Sequence, residues 1–207
     1  MSGILIACIA LCCLPQTQVH PADTSLGVLV LVNKQYALPV NYLPKNLVKL
    51  PNKYSTGNLM QLQAPAEAAF RALVDAARKD GHWIHNRSGF RTEAVQRMLY
   101  TQNVEQHGEE ATFQKSARPG HSEHQTGLAV DVNRVHRDFS HTKTYAWLQE
   151  HAHRYGFILR YPKGRESITG YEYEPWHYRY VGVEAATFIH QNQLTLEEYY
   201  QLYIQHP

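Results

Sequence analysis

The chain has 207 residues, 43% of them hydrophobic, with a formal net charge of +2 and no run of Lys or Arg. That length fits one globular domain with a core of ordinary size and excludes a multidomain protein, while the weak, dispersed charge excludes nucleic acid as an expected partner. All three cysteines, Cys8, Cys12 and Cys13, fall near the start, so neither a disulfide framework nor a Cys-based zinc finger can be built in the body of the chain.

Met1 to Leu14 carries an apolar run from Ile4, too short for a membrane span of about 20 residues. It reads as a secretory leader, although no Lys or Arg precedes it. Cys8, at the end of Leu5-Ile-Ala-Cys8, offers lipidation and a membrane tether through the N-terminus as the alternative. Residues 15–27 are polar and read as a flexible tether, so 1–27 is assigned as leader and tether and 28–207 as one folded domain. Val28 to Asn33 is apolar and β-branched enough for a strand. Pro39, Pro44 and Pro51 then keep the chain extended, with no regular element expected.

From Pro65, a good first helical residue, Phe70, Leu73, Val74 and Ala77 recur at helical spacing until Gly81. His82 to Asn86 reads as a strand leading into Ser88-Gly-Phe-Arg91. Thr92 can cap a helix running to about Gln106, with Val95, Met98 and Leu99 inward. The polar stretch from His107 to Gly120 reads as a loop or lid. Gly127 to Val132 is a short buried strand entered through a glycine. Lys143 to Tyr155 is a helix carrying Tyr145, Leu148 and Ala152, closed by Gly156, and strands follow over Phe157 to Tyr161 and Tyr173 to Tyr178. Val183 to Tyr203 makes two helical pieces, the second started by Thr195 with Leu196, Tyr199, Tyr200 and Tyr203 inward. Short strands separated by helices predict an α+β domain with a small, mostly antiparallel sheet flanked by helices.

The chemistry concentrates in Ser122-Glu-His124-Gln-Thr-Gly127-Leu-Ala-Val-Asp131 and Glu174-Pro-Trp-His177. These supply two histidines, an aspartate and a spare glutamate, the inventory of a hydrolytic zinc site. On the predicted strand Ala129 and Asp131 point one way while Leu128, Val130 and Val132 point the other. A carboxylate in that company needs a compensating partner, and a metal would supply it; a turn cap before Asn133 is the plainer use of Asp131. Pro175 disfavours helix for Glu174, so Glu174 and His177 can face one cavity. His124, Asp131 and His177 would then be ligands, leaving Glu174 free to move protons. The remaining histidines of the 13 are read as surface or hydrogen-bonded residues, with His121 near enough to the motif to stand behind it. A Ser122-His124-Asp131 triad is the rival chemistry, but it lacks the second glycine of a nucleophile elbow and leaves Glu174 and His177 unused.

These residues resemble the zinc D-alanyl-D-alanine carboxypeptidases of the vancomycin-resistance Y type and the related L,D-carboxypeptidases that trim peptidoglycan stem peptides. The pattern Ser-x-His-x-x-Gly-x-Ala-x-Asp is matched by Ser122, His124, Gly127, Ala129 and Asp131, and Glu-x-Trp-His by Glu174, Trp176 and His177. The likeness extends through Ser88 to Gln96, Ala117 to Ser122 and Leu159-Arg-Tyr161-Pro-Lys-Gly, over roughly residues 29 to 207. It implies a Hedgehog/D,D-peptidase-like fold, one zinc ion on His124, Asp131 and His177, and Glu174 as general base and then acid. It further implies substrate contacts from Arg91, Gln96, Ser122 and Tyr161, with Arg91 also serving catalysis by holding a terminal carboxylate or a developing oxyanion. A peptidoglycan stem peptide is the implied substrate, removal of its terminal D-alanine the implied reaction, and an exported bacterial monomer, secreted or associated with the membrane or cell wall, the implied setting. L,D-carboxypeptidase, D,D-dipeptidase and endopeptidase activities are the neighbouring alternatives, and a non-catalytic zinc-containing wall-binding module is the distant one.

Overall fold

The computed structural model describes residues 18–57 and 60–205. The leader assigned to Met1 to Leu14 lies outside the described residues. Strands β1 (His20–Pro21), β2 (Tyr36–Ala37), β3 (Leu47–Lys49) and β4 (Gln61–Gln63) precede the first helix, α1 (Ala64–Lys79). Strand β5 (Asn86–Ser88) leads into α2 (Glu93–His107) and α3 (Glu109–Lys115). Then come β6 (Ala129–Val132), α4 (Lys143–His151), β7 (Phe157–Leu159) and α5 (Glu166–Thr169). Next come β8 (His177–Tyr180), α6 (Val183–Gln191) and α7 (Leu196–Tyr200), with a π-helical turn over Gln201–Gln205 after α7.

Four strands form the central sheet in the order β5-β6-β8-β7, every neighbour antiparallel. Alternation divides its residues between two faces. Leu128, Val130, Val132, Phe157 and Tyr178 enter one apolar cluster with Phe70, Leu73, Val74 and Ala77 of α1. This is the face that the helical spacing after Pro65 calls for, and Phe70 meets Phe157 edge-on with ring centres 6.1 Å apart. Ile158 belongs to the opposite side, in a second cluster with Ala185 and Ile189 of α6 and Leu196 and Tyr200 of α7. The rest of that second side carries Asp131, His177 and Arg179, which share the alternation of Ile158 through the pairings Asp131 with His177 and Ile158 with Arg179. The fold is therefore α+β, a small antiparallel sheet between helices, as expected.

Several local expectations give way to tertiary contacts. Val28 to Asn33 is not a strand: Thr24–Leu29 winds into 3-10 turns, and the carbonyls of Val28 and Val30 accept from Arg179 Nη2 at 2.9 and 2.8 Å instead of from a strand neighbour. The described part of the tether is folded onto the domain from His20, ahead of Val28, with His20 N donating to Gln35 O at 2.7 Å and Ala22 buried. The proline-punctuated stretch holds β3, between Pro44 and Pro51, which pairs antiparallel with β4 farther along the chain. Only Asn86 of the strand expected at His82 to Asn86 joins β5, because His85 N is taken by the Asn133 side chain at 2.8 Å. The expected loop from His107 to Gly120 contains α3, divided from α2 by Gly108 at φ 82°. Met98 is 52% exposed and Gln96 is the buried residue of α2. Tyr203, at 46%, also faces outward. The helix begun at Lys143 tightens to 3-10 at Ala152 before Gly156 ends it.

Candidate active site

Two backbone devices bring the motif residues together. The first is the 3-10 turn Glu123–Thr126, closed by Gly127 in the left-handed region at φ 69°. A Cβ at Gly127 would stand 2.9 Å from Leu47 Cδ2 and 3.3 Å from Gln63 N, so conformation and space both require glycine. The turn lays His124 against the end of β5: Arg91 N donates to His124 O at 3.1 Å, and His124 Nδ1 lies 2.7 Å from the Gly89 carbonyl. The second device is the register of β6 on β8, which sets Asp131 directly opposite His177. Just before β8, His177 N donates to Glu174 O at 3.1 Å, closing a turn around Pro175 that swings Glu174 to the same side. That turn is why β8 begins at His177 and not at Tyr173.

Side-chain tautomers follow from the partners. A carbonyl can only accept, so His124 Nδ1 carries its proton and Nε2 turns a lone pair on Asp131 Oδ2, 3.3 Å away. His177 Nε2 lies 3.3 Å from Glu123 Oε2, while its Nδ1 lies 3.0 Å from Asp131 Oδ1 and 3.7 Å from Glu174 Oε2. In the neutral ring, with Nε2 donating to Glu123, His177 Nδ1 also presents a lone pair. One donor atom each from His124, Asp131 and His177 then lie within 4.8 Å of one another, all three residues buried. Such a set repels itself unless a cation joins it, and two imidazoles with one carboxylate are ligands suited to catalytic zinc. Without a cation the proton falls to His177: burial disfavours the imidazolium, but hydrogen bonds to Asp131 and Glu123 outweigh it and raise its pKa to about 9. His124 is driven the other way, down to about 4, by burial and then by the Arg91 charge. Burial opposes the charge of Asp131 as well, yet His124 and His177 hold it well below the usual carboxylate range.

Glu174 differs from these three. Burial pushes its carboxyl up to about 7 against the opposing pull of His177, which leaves it able to take and release a proton near neutrality. Arg91 Nη2 stands 4.0 Å from Asp131 Oδ2, and its Nη1 donates to Gln96 Oε1 at 3.0 Å. Gln96 Nε2 in turn donates to Ala117 O at 2.7 Å, so a residue that sequence alone would leave in solvent is instead buried and orients the guanidinium. The Tyr161 ring lies 4.9 Å from the His177 ring, its hydroxyl pushed well above its ordinary pKa by burial and by Glu123. Arg91, Gln96, Ser122, Tyr161 and the four motif residues all line one cleft of about 430 Å³.

The Ser-His-Asp alternative does not survive this geometry. A triad needs the aspartate on the ring nitrogen away from the serine, but His124 Nδ1 is held by Gly89 O and Asp131 faces Nε2, the atom a serine would have to reach. His121 does not stand behind the ligands either, since its Nδ1 bonds Asn33 O at 2.7 Å. Sequence reasoning missed Glu123, Arg160 and Arg179. All three are buried, and although burial opposes its charge, Arg160 and Arg179 hold Glu123 well below the carboxylate range. A signal was present: period-two reading of Ile158-Leu-Arg160 and His177-Tyr-Arg179 sets both arginines on the ligand side of the sheet.

Residues 59–183 match the VanY family, described as D-alanyl-D-alanine carboxypeptidase. A D-alanyl-D-alanine carboxypeptidase of Enterococcus faecalis (strain ATCC 700802 / V583) is 39% identical over 192 residues, covering 88% of this chain and 69% of that protein. Among solved structures, the LdcB LD-carboxypeptidase superposes with a TM-score of 0.83 at 41% identity, covering 88% of this chain and 90% of that one. A mutant of the vancomycin-resistance D,D-pentapeptidase VanY in complex with Zn(II) gives 0.72 at 39% identity, covering 83% and 98%. The chain thus belongs to the VanY D-alanyl-D-alanine carboxypeptidase family and is a zinc metallo-carboxypeptidase.

Proposed function

We propose that this enzyme removes the terminal D-alanine from peptidoglycan stem peptides, with His124, Asp131 and His177 holding one zinc ion and Glu174 acting as general base and then as general acid. The observation that carries it is the convergence of the three ligand atoms within 4.8 Å, with the Glu174 carboxylate 3.7 Å from His177 Nδ1. Zinc held there supplies a Lewis acid that polarises a carbonyl and lowers the pKa of water. Glu174 takes a proton from the attacking water and delivers it to the departing amine. Arg91, oriented by Gln96, offers its guanidinium to the substrate carboxylate or the developing oxyanion, and Ser122 and Tyr161 contact the peptide from the cleft walls. The protein acts outside the bacterial cytoplasm as a monomer, secreted or associated with the membrane or cell wall, with a membrane tether through its N-terminus in the second case.

The test is release of D-alanine from synthetic stem pentapeptide and tetrapeptide, before and after chelation and with zinc restored. Release from the pentapeptide that is lost on chelation and returns with zinc is the expected result; the absence of release from both peptides would overturn the proposal. Release from the tetrapeptide alone would favour the second reading, an L,D-carboxypeptidase, which is supported by the higher TM-score to LdcB, 0.83 against 0.72 for the zinc-bound VanY.

A further inference from the structure

Behind the ligand set lies a second group of buried charges that the mechanism does not use. Glu123, Arg160 and Arg179 have fully buried side chains, and that of Glu197 on α7 is 12% exposed. Glu123 Oε1 accepts from Arg160 Nε and from Arg179 Nη1, both at 2.7 Å. Arg160 places its other two nitrogens on Glu197 at 2.9 and 2.6 Å. Arg179 places its own on the carbonyls of Val28, Val30 and Tyr180. Every guanidinium nitrogen is used, and two carboxylates balance two cations.

Such a buried group is a poor route to stability alone, since well-packed apolar residues of similar volume often do as well or better. What sets it apart is the second oxygen of Glu123. The hydrogen bonds from Arg160 and Arg179 both go to Oε1, and this second oxygen lies 3.3 Å from His177 Nε2, the ring nitrogen that faces away from Asp131. Asp131 Oδ1, 3.0 Å from Nδ1, would also accept a proton from the ring, but with a cation in the ligand set Nδ1 must keep its lone pair, and Glu123 Oε2, which only accepts, then favours the tautomer with the proton on Nε2. The other neutral tautomer would set the Nε2 lone pair against that oxygen and aim a proton into the ligand set.

We infer that Glu123, clamped by Arg160 and Arg179, is a positioning residue that fixes the tautomer and orientation of His177 for metal binding. This rests on His177 being a ligand, as proposed above. Groups that hold the far nitrogen of a ligating imidazole typically change metal affinity 10- to 100-fold when altered. The chain Glu197 to Arg160 to Glu123 to His177 also makes α7 and the Val28–Asn33 segment, whose Asn33 Nδ2 donates to Glu197 at 3.0 Å, outer supports of one ligand.

The experiment compares zinc affinity, by competition with a chromophoric chelator, for wild type, Glu123→Gln, Glu197→Gln and His177→Ala, alongside the thermal midpoint of each metal-free protein. Glutamine keeps the shape of Glu123 but can turn an amide donor on Nε2. Glu123→Gln is expected to weaken zinc binding 10- to 100-fold, whereas Glu197→Gln lowers the midpoint and weakens zinc binding less. A Glu123→Gln protein that folds and binds zinc as wild type does, while His177→Ala does not, overturns the inference and spares the ligand assignment. Zinc bound with wild-type affinity by His177→Ala overturns the ligand assignment itself. Should Glu123→Gln fail to fold, Glu123→Asp takes its place, because it keeps the charge between Arg160 and Arg179 but draws the carboxylate back from His177 Nε2: weaker zinc binding than wild type is expected, and wild-type affinity overturns the inference.

Discussion

Two groups of buried charge lie side by side in this enzyme and are completed in opposite ways. Glu123, Arg160, Arg179 and Glu197 form a closed set, in which each charge faces a partner and each guanidinium nitrogen has an acceptor. His124, Asp131, His177 and Glu174 form an open one. Two carboxylates and two imidazoles face inward there, and the guanidinium of Arg91 comes no nearer than 4.0 Å to Asp131 Oδ2. Buried charge persists only when it is paired or bound to metal. The closed set needs nothing from outside the chain, whereas the open set needs a cation. Incompleteness, more than burial or charge density, separates the group to which we assign the chemistry from the one to which we assign its positioning.

The largest effects are expected where the open set loses a member. His177→Ala should lose both zinc and turnover, while Glu174→Ala should keep zinc, measured as bound metal per chain, and lose on the order of 10²–10⁴-fold in turnover. Near-normal D-alanine release by Glu174→Ala would remove that residue from its role. Breaking the closed set should instead be read in stability: Arg160→Ala leaves Glu123 to Arg179 alone and takes from Glu197 its guanidinium partner, and should cost about 3–5 kcal/mol in urea unfolding of the metal-free protein. A cost under about 1 kcal/mol would show the set to be wet and loosely held.

Acidity should separate the sets more gently. Glu174 works as a base only when ionised, and burial raises its pKa to about 7. Its ionised fraction climbs with pH, so kcat/KM should rise as pH increases and level off above the inflection. A cation nearby pulls that inflection to 7 or below. Glu174→Gln should remove this acidic limb, and an unchanged limb would assign it to another group. The smallest effect is expected at the edge of the closed set. Thr195 and Glu198 form a capping box at the start of α7, the helix that carries Glu197. Thr195→Ala should cost about 1 kcal/mol in unfolding and leave zinc affinity alone; a large loss of zinc would mean that the cap, and not Glu123, sets the ligand geometry.

Local rules read α1, the Thr92 and Thr195 caps, the Gly127 entry to β6 and the inward face of Asp131 correctly, because each depends on residues adjacent in the chain. The ligand and base candidates were legible because their motif spacing, His124 to Asp131 and Glu174 to His177, is mirrored in one turn and one strand pairing. What escaped was fixed at a distance. Val28 to Asn33 has the composition of a strand, but Arg179, about 150 positions away, takes its carbonyls. Gln96 has the look of a solvated helix residue and is buried because α3 follows α2 and Ala117 O accepts from it. Glu123 sat at an unassigned place in a recognised pattern, and its partners come from β8 and the residue just after β7. Charged side chains on strands are usually solvent-facing, so only the assembled sheet shows which of them are enclosed.

The facing of Asp131 and His177 across β6 and β8 has a further consequence. Two of the three proposed ligands are a cross-strand couple, fixed by the same ladder that sets Val130 against Tyr178. A slip of one residue would turn Asp131 into the apolar layer and bring a valine to the metal side. A misthreaded sheet could therefore not be rescued by the ion, because it would offer no place for it. The capacity to take up zinc is in this sense a proofreading mark on the fold: the fraction of chains that bind it stoichiometrically counts those whose strands are in register, independently of whether any substrate is turned over.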